Sequence, residues 1–559
     1  METFEIQKHL EYPQVTMFQM IEAAAGQYPK APAYEFYGTK TDYKTFLGKI
    51  EQTARAFAAM GIQMGDRVTI CMPNTPQMLC SFYALNRIGA VANMIHPQSA
   101  KTEITFYLNY SDSKAILTLD LFCEKVEEAL LEVDHPVTVI VARMQEELNP
   151  VMAAGYVVKK GRAFLRFPNT DHAITWKSFL RKGNQKVSLP EITFDPKRTA
   201  VILYSGGTTG TPKGICLSDL NFNALAFQSR NAIAVELGVG KKMLSCMPCF
   251  HGFGLGINLH TILCFGACCI LMPMFSGTSY AQMLVKKKPN FIAGVPTIFE
   301  ALLHIDLLQK ADLSFLHGMF CGGDSLSVEL KRKVDDFLKE HGASIQIREG
   351  YGLTECVTAS CLTPPDQYRE GGIGLPYADT EYCIVRPGTD DEVPRGEEGE
   401  IILNGPTVML GYLDMPEETK NTLRSLADGK TWLYTGDLGH MDEDGYVYFH
   451  RRQKRIIITN GYNVYPNQLE NVIDGCPDVS YSCVIGVKDP RRVERVRAYV
   501  VLQKGVEPDE ACRERIMDRL RNHVAQYALP KEILFREELP KTLVGKVAYR
   551  VLEDEANAE

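Results

Sequence analysis

The chain has 559 residues, 45% of them hydrophobic, which is more than one hydrophobic core accommodates, so several domains are expected. A formal net charge of −8 gives no bulk electrostatic case for binding nucleic acid, and none is expected as a partner. The acidic start Met1-Glu2-Thr3-Phe4-Glu5 does not read as a secretory leader, and the apolar stretch Leu255–Leu271 is broken by Asn258, His260 and Gly266, so it reads as core rather than as a membrane span.

In chain order, Arg67–Met72 predicts a strand and Met78–Ile88 a helix. Ala115–Leu119, Val137–Val141, Thr199–Tyr204, Met243–Met247, Phe291–Val295 and Met319–Cys321 repeat the strand pattern, with helices such as Ser327–Glu340 between them. This alternation predicts an α/β fold with parallel strands. Beyond Asp444 the pattern changes to short strands, Gly445–Phe449 and Arg455–Thr459, around the charged cluster Arg451-Arg452-Gln453-Lys454. Asp509–Tyr527 then predicts an amphipathic helix with Ile516, Leu520 and Val524 on one face. The expected division is a large N-terminal domain, 1–453, and a small α+β C-terminal domain, 454–559.

The sixteen cysteines form no regular framework. Cys246 and Cys249 have C-x-x-C spacing but lack a second matching pair, and read as buried thiols, as do Cys268 and Cys269. A reducing cytoplasm is the expected setting. Within 156–186, Lys159, Lys160, Arg162, Arg166, Lys177, Arg181, Lys182 and Lys186 alternate with Phe164, Leu165, Phe167, Trp176 and Phe179. Two readings stay open for this stretch: a surface that rests on anionic lipid, or a solvated insertion.

Tyr204–Gly214 reads YSGGTTGTPKG directly after an apolar strand. Gly206, Gly207 and Gly210 let main-chain N–H groups approach an anion, Ser205, Thr208, Thr209 and Thr211 add hydroxyls, and Lys213 adds a charge. The pattern is a phosphate cradle, yet Pro212 stands where a P-loop has glycine before its lysine. The stretch resembles the phosphate loop of the adenylate-forming superfamily, which holds acyl-CoA synthetases, luciferases and adenylation domains of peptide synthetases. Four further segments resemble that family's motifs in order: Gly350-Tyr351-Gly352-Leu353-Thr354-Glu355, Tyr434-Thr435-Gly436-Asp437, Arg452 through Pro466, and Pro540 through Lys546.

The resemblance implies a large multi-sheet domain with a small mobile lid, and the ligation of a carboxylic acid to CoA with ATP and Mg²⁺. Tyr351 and Gly352, with Gly323 and Asp324, would flank the adenine; Asp437 and Arg452 would hold the ribose. Arg451 and Asn460 stand where the family often has glycine, which leaves the ribose contact at Arg452 or one register step away. Thr354, Glu355 and Thr208 would serve the phosphates, with Glu355 and Thr208 on the metal through hard oxygen. Lys454 matches the hinge and Gly461 the loop of the thiol-transfer step. Lys546 would bridge the substrate carboxylate and the α-phosphate, and His251 would gate the acyl site.

Set against the family it resembles, three features of the chain point to a medium- or long-chain fatty acid. Gly252 offers no partner for a substrate ammonium, Gly352 leaves the pocket unplugged, and Phe253, Ile257, Val295, Phe299 and Leu302 are expected to line it. A carrier-protein phosphopantetheine as acceptor, and a non-catalytic nucleotide-binding regulator, are the alternatives.

Overall fold

The computed structural model describes residues 5–160, 172–185, 187–205, 212–452, 457–459, 462–464, 466–489, 493–524, 526–542 and 545–558. Among them the strands form four sheets. Two are large, of nine and eight strands, and both are mostly parallel in their interiors with helices on their faces. The central strands of the first are Lys242–Ser245, Phe291–Gly294, Gly318–Cys321 and Ile347–Tyr351. The core of the second is Thr199–Ser205, Val91–Met94, Arg67–Cys71 and Ser113–Leu119.

The strand–helix alternation read from the sequence is present, with ends shifted by a residue or two. The helix expected over Met78–Ile88 is Pro76–Arg87, started by Thr75, whose hydroxyl accepts from Met78 N–H, and by proline at the first helical position. Ser327 caps the helix Val328–Glu340 in the same way. The amphipathic C-terminal helix is Glu510–His523, capped by Asp509 and burying Cys512, Ile516 and Leu520. It ends one residue before Val524, which turns extended and donates its N–H to Leu520.

A third sheet of five strands includes Thr431–Met441 and Val447–Arg452, paired antiparallel. The fourth begins at Ile457–Thr459, which pairs with Tyr462–Val464 and Val493–Leu502. The chain therefore changes sheets between Arg452 and Ile457. Two separate apolar clusters fill this last part, one around Ile473, Val484 and Ile516, the other around Tyr499 and Leu552.

The stretch Leu255–Leu271 is core, as expected, but it opens as a π-helix, Phe253–Thr261, before a strand Cys268–Leu271. Such wide turns recur beside functional sites. Burial pushes the Cys246 thiol up to about 12, so it stays protonated. No helix among the described residues is long and apolar enough to cross a membrane.

Trp176 and Phe179 correct one expectation. Both are buried, with ring centroids 5.3 Å apart, and Phe179 packs 4.8 Å from Phe57. They tie the short helix Trp176–Lys182 to the core and offer nothing to a lipid surface, while Lys177, Arg181 and Lys182 of that helix are exposed. Arg162, Phe164, Leu165, Arg166, Phe167 and Lys186 lie outside the described residues, as do the side chains of Lys159 and Lys160.

Candidate active site

One cavity of about 1260 Å³ runs between the C-terminal ends of the two large sheets and the C-terminal part of the chain. Parallel strands deliver loops to that edge, which is where open α/β sheets place ligands. Ser205, Lys213, His251, Gly323, Asp324, Tyr351, Gly352, Thr354, Glu355, Asp437 and Lys546 all line it, so residues separated by up to 341 positions meet in one space.

At one corner Tyr351 Oη donates to Asp437 Oδ2 at 2.7 Å, and Asp437 is 1% exposed. The turn before Asp437 is fixed by its neighbours. Thr435 Oγ1 donates to the Ile401 carbonyl and accepts from Asp437 N–H, and Gly436 takes a left-handed φ of +69° while donating to Glu400 Oε1. The antiparallel register sets Arg452 opposite Asp437 and Arg451 opposite Leu438.

At a second corner Glu355 sits in the short 3₁₀ turn Thr354–Cys356, and its Oε1 accepts from Tyr412 Oη at 3.0 Å. Lys213 Nζ lies 4.9 Å from the Tyr412 ring centroid and pairs with Glu418. Tyr412 therefore couples the end of the glycine-rich loop to Glu355. Sequence reading missed it, because nothing in Gly411-Tyr412-Leu413 announces that this two-residue strand pairs with Ile215 and Cys216, far away in the chain.

Val357 follows with φ +65° and ψ −57°, a γ-turn closed by Thr358 N–H to Cys356 carbonyl at 2.8 Å. For a β-branched residue this main chain is strained. The turn aims two carbonyls at glycines. A Cβ on Gly252 would lie 1.7 Å from the Val357 carbonyl oxygen, and one on Gly352 would lie 2.0 Å from that of Thr358. Gly352 therefore does not open room for a side chain, as its reading as an unplugged pocket position implied, because main chain occupies the place of its Cβ; the same holds at Gly252, which offers an ammonium no side-chain partner.

At the third corner Lys546 rests on Gly323. A Cβ at Gly323 would lie 3.3 Å from Lys546 Cε and 3.7 Å from Nζ. The Lys546 turn is closed by Thr542, whose N–H donates to the Lys546 carbonyl at 2.7 Å and whose Oγ1 accepts from Lys546 N–H at 3.1 Å. Thr297 Oγ1 donates to the Gly545 carbonyl at 3.0 Å and docks this turn on the large part, as does the Ser480–Glu300 hydrogen bond nearby. His251 also faces Lys546. Burial, and then the Lys546 charge, hold its imidazole down to about 3. Its Nδ1 accepts from Phe253 N–H at 3.2 Å, which leaves the proton on Nε2.

From His251 the cavity continues as an apolar limb. Phe253 and Ile257 line it, as expected; Val295, Phe299 and Leu302 do not. Those three are buried in the core, with Phe299 packed on Gly294, because the helix Pro296–Leu302 turns that face inward. The limb is instead walled by Ile233, Leu237, Met243, Ile262, Phe291 and Phe320. No motif marks these residues; they come from three strands, two helices and the segment after one of them, which only the fold assembles.

Gly206, Gly207, Thr208, Thr209 and Gly210 of the glycine-rich loop, and also Lys454 and Gly461, lie outside the described residues, as do the side chains of Arg451 and Arg452. A magnesium ion fits what is described. Glu355 supplies hard carboxylate oxygen at the cavity wall, the donor a magnesium ion takes beside the phosphates of a nucleotide.

Comparison with known proteins agrees with this layout. Residues 21–413 match the AMP-binding enzyme family and residues 468–546 the AMP-binding enzyme C-terminal domain. A long-chain-fatty-acid–CoA ligase of Bacillus subtilis is 34% identical over 560 residues, covering 99% of this chain and 96% of the relative. One of Salmonella typhimurium is 32% identical over 563 residues, covering 97% and 95%. The crystal structure of an anthranilate CoA ligase with anthranoyl-AMP superposes with a TM-score of 0.84 at 22% identity, covering 98% of both chains. Matched along both of its parts, and with Ser205, Lys213, the Tyr351–Asp437 pair and the Lys546 turn drawn into one cavity, the chain belongs to the AMP-binding enzyme family, the adenylate-forming acid–thiol ligases.

Proposed function

We propose that the protein activates a medium- or long-chain fatty acid with ATP and transfers the acyl group to CoA. The observation that carries this reading is the position of Lys546 and His251 at the junction between the polar half of the cavity and its apolar limb. A carboxylate at the mouth of the limb meets an α-phosphate beside Gly323. A carboxylate oxygen attacks the α-phosphorus, the bond to the pyrophosphate oxygen breaks, and acyl-AMP and pyrophosphate result. The CoA sulfur, having lost its proton, then attacks the acyl carbon, and the bond to AMP breaks.

Each side chain has a place in this scheme. Lys546 offsets the repulsion between two anions and the charge that grows as they join. Neutral His251 bounds the acyl carboxylate without adding charge. Asp437, with Arg452, binds the ribose, and Tyr351 and Gly352 flank the base with Gly323 and Asp324. Thr354 stands beside the phosphates, and Glu355 with Thr208 would hold Mg²⁺, which when bound neutralises phosphate charge. Ser205, Gly206, Gly207, Thr209, Gly210 and Lys213 cradle the phosphates. The C-terminal part, pivoting at Lys454, brings Gly461 in for the thiol step.

The fatty-acid assignment rests on the apolar limb, where each buried methylene contributes about 0.8 kcal/mol, and on the similarity to the long-chain-fatty-acid–CoA ligases of Bacillus subtilis and Salmonella typhimurium. The test is CoA-dependent AMP formation across a series from acetate to palmitate, with aryl and amino acids beside them. A rise of kcat/KM with chain length followed by a plateau supports the assignment. Preference for acetate, an amino acid or an aryl acid overturns it, and acyl transfer only to a carrier protein overturns CoA as acceptor.

A peripheral contact with anionic membrane is a second reading, favoured by one observation. Val151 and Val158, seven residues apart on the helix Pro150–Lys160, are 83% and 84% exposed, and basic residues follow in sequence. Cosedimentation with phosphatidylglycerol vesicles, reduced in Val151→Ser/Val158→Ser and absent with phosphatidylcholine vesicles, is the expected result.

A further inference from the structure

Arg348 is a buried cation inside the large part, and its three hydrogen-bond partners are main-chain carbonyls. Nη2 donates to Ala232 at 2.6 Å, Nη1 to Ile233 at 2.9 Å, and Nε to Thr363 at 2.7 Å. The first two are the end of the helix Asp219–Ile233, where the last carbonyls lack helical partners and the helix dipole favours a cation. The third lies just past the strand Cys361–Leu362. The guanidinium also lies 5.7 Å from the Phe320 ring centroid, and Phe320 is its direct partner on the neighbouring parallel strand. Burial lowers the Arg348 pKa to about 10, so it remains charged at neutral pH.

These contacts coincide with the walls of the apolar limb. The helix held by Arg348 gives the limb Ser229 and Ile233, and its continuation gives Leu237. On the sheet side, strand pairing sets Met243 opposite Phe291, and Phe320 follows Gly318, the partner of Phe291, by two residues. Met243, Phe291 and Phe320 therefore belong to one face, and Arg348 closes that row on the fourth strand. One rigid fork thus spans the two walls between which the limb runs. Shape fixing of this kind suits a guanidinium, since a buried charge is a costly way to obtain stability alone.

We propose that Arg348 is a positioning residue for acid selection: by clamping the end of the helix Asp219–Ile233 to Phe320 and Thr363 it sets the width of the apolar limb, and so which acyl groups reach His251 and Lys546 with a usable fit. The inference rests on the limb being the acyl site. Arg348 touches no reacting atom, and its effect is on the acid and not on the nucleotide.

The test uses Arg348→Met, which keeps length without donors, and Arg348→Lys, which keeps charge without the fork. Both are compared with the full-length wild type for kcat/KM over a series of straight-chain acids from butyrate to palmitate, one methyl-branched acid and one aryl acid, together with the KM for ATP at saturating acid. The expected result is a flattened profile: the preference for the best chain length over its neighbours and over the branched acid falls by about tenfold in Arg348→Met, less in Arg348→Lys, with the KM for ATP unchanged in both. A uniform fall for every acid, an unchanged profile, or variants that fail to fold would each assign Arg348 to stability alone and overturn the proposal. If the wild type activates no carboxylic acid, it is the acyl-site reading that fails, and that outcome is distinct because it is seen before any substitution.

Discussion

Lys546 lies across the α-carbon of Gly323, whose φ of +85° leaves no comfortable place for a side chain. The lysine and the glycine come from opposite parts of the chain, and their contact sets where the cation meets the bound substrates. Gly323→Ala adds both a strained main chain and a methyl group against Lys546 Cε. Acid-dependent pyrophosphate exchange is expected to fall by about tenfold or more, since a misplaced catalytic group costs on the order of 10²-fold. Transfer from synthetic acyl-AMP to CoA is expected to fall less. Stopped-flow or radiochemical assay of the two half-reactions checks this.

Tyr412 reports on the metal corner. Tyr412→Phe removes the donor to Glu355 Oε1 while keeping the ring under Lys213. A hydrogen bond to a carboxylate contributes about 1.5–3 kcal/mol, so the concentration of Mg²⁺ needed for half-maximal rate at fixed ATP is expected to rise about tenfold. The KM for the acid should be unchanged. A Mg²⁺ titration that superposes on the wild type would remove Glu355 from the metal role.

Tyr351 and Asp437 form a coupled pair. Asp437→Asn is expected to raise the KM for ATP by about tenfold or more, and Tyr351→Phe by less. Because the two side chains are bonded to each other, the double variant should cost less than the sum of the single changes, with a coupling of about 0.5–3 kcal/mol. Additive losses would mean that the hydrogen bond does not organise the nucleotide corner.

Part of this site is legible in the sequence. The Tyr204–Gly214, Gly350–Glu355, Thr435–Asp437 and Pro540–Lys546 stretches are local patterns, and the fold draws their described residues together. The acyl limb is not local. Met243, Phe291 and Phe320 are ordinary apolar residues until parallel pairing lines them up, Ile233 and Leu237 until the helix Asp219–Ile233 is laid beside them, and nothing local in the sequence marks Arg348, whose partners are distant carbonyls. Gly252 and Gly352 were legible as missing side chains but not as the reason for their absence, which is the γ-turn at Val357. A strained turn of one residue leaves no periodic trace.

The pH dependence follows from His251. Its pKa is lowered to about 3 by burial and by Lys546, against an ordinary value of 6.5. The unfolded chain therefore takes up a proton at this side chain as pH falls through 6.5, and the folded protein does not until about 3, so stability declines across that window. His251→Gln is expected to reduce the loss of Tm between pH 7 and pH 4.5. The acid limb of kcat/KM should contain no ionisation near 6.5 that disappears in His251→Gln; finding one would show that His251 is not held neutral.

The most direct measurement separates the two half-reactions in Lys546→Ala. Acyl-AMP formation, followed as acid-dependent pyrophosphate release, is expected to fall by about 10²–10³-fold, the scale for losing a group that stabilises transition-state charge. Thioester formation from synthetic acyl-AMP and CoA is expected to stay within a few-fold of wild type, because Lys546 serves only the first step. Equal loss of both half-reactions in a folded variant, or adenylation at the wild-type rate, would contradict this role for Lys546.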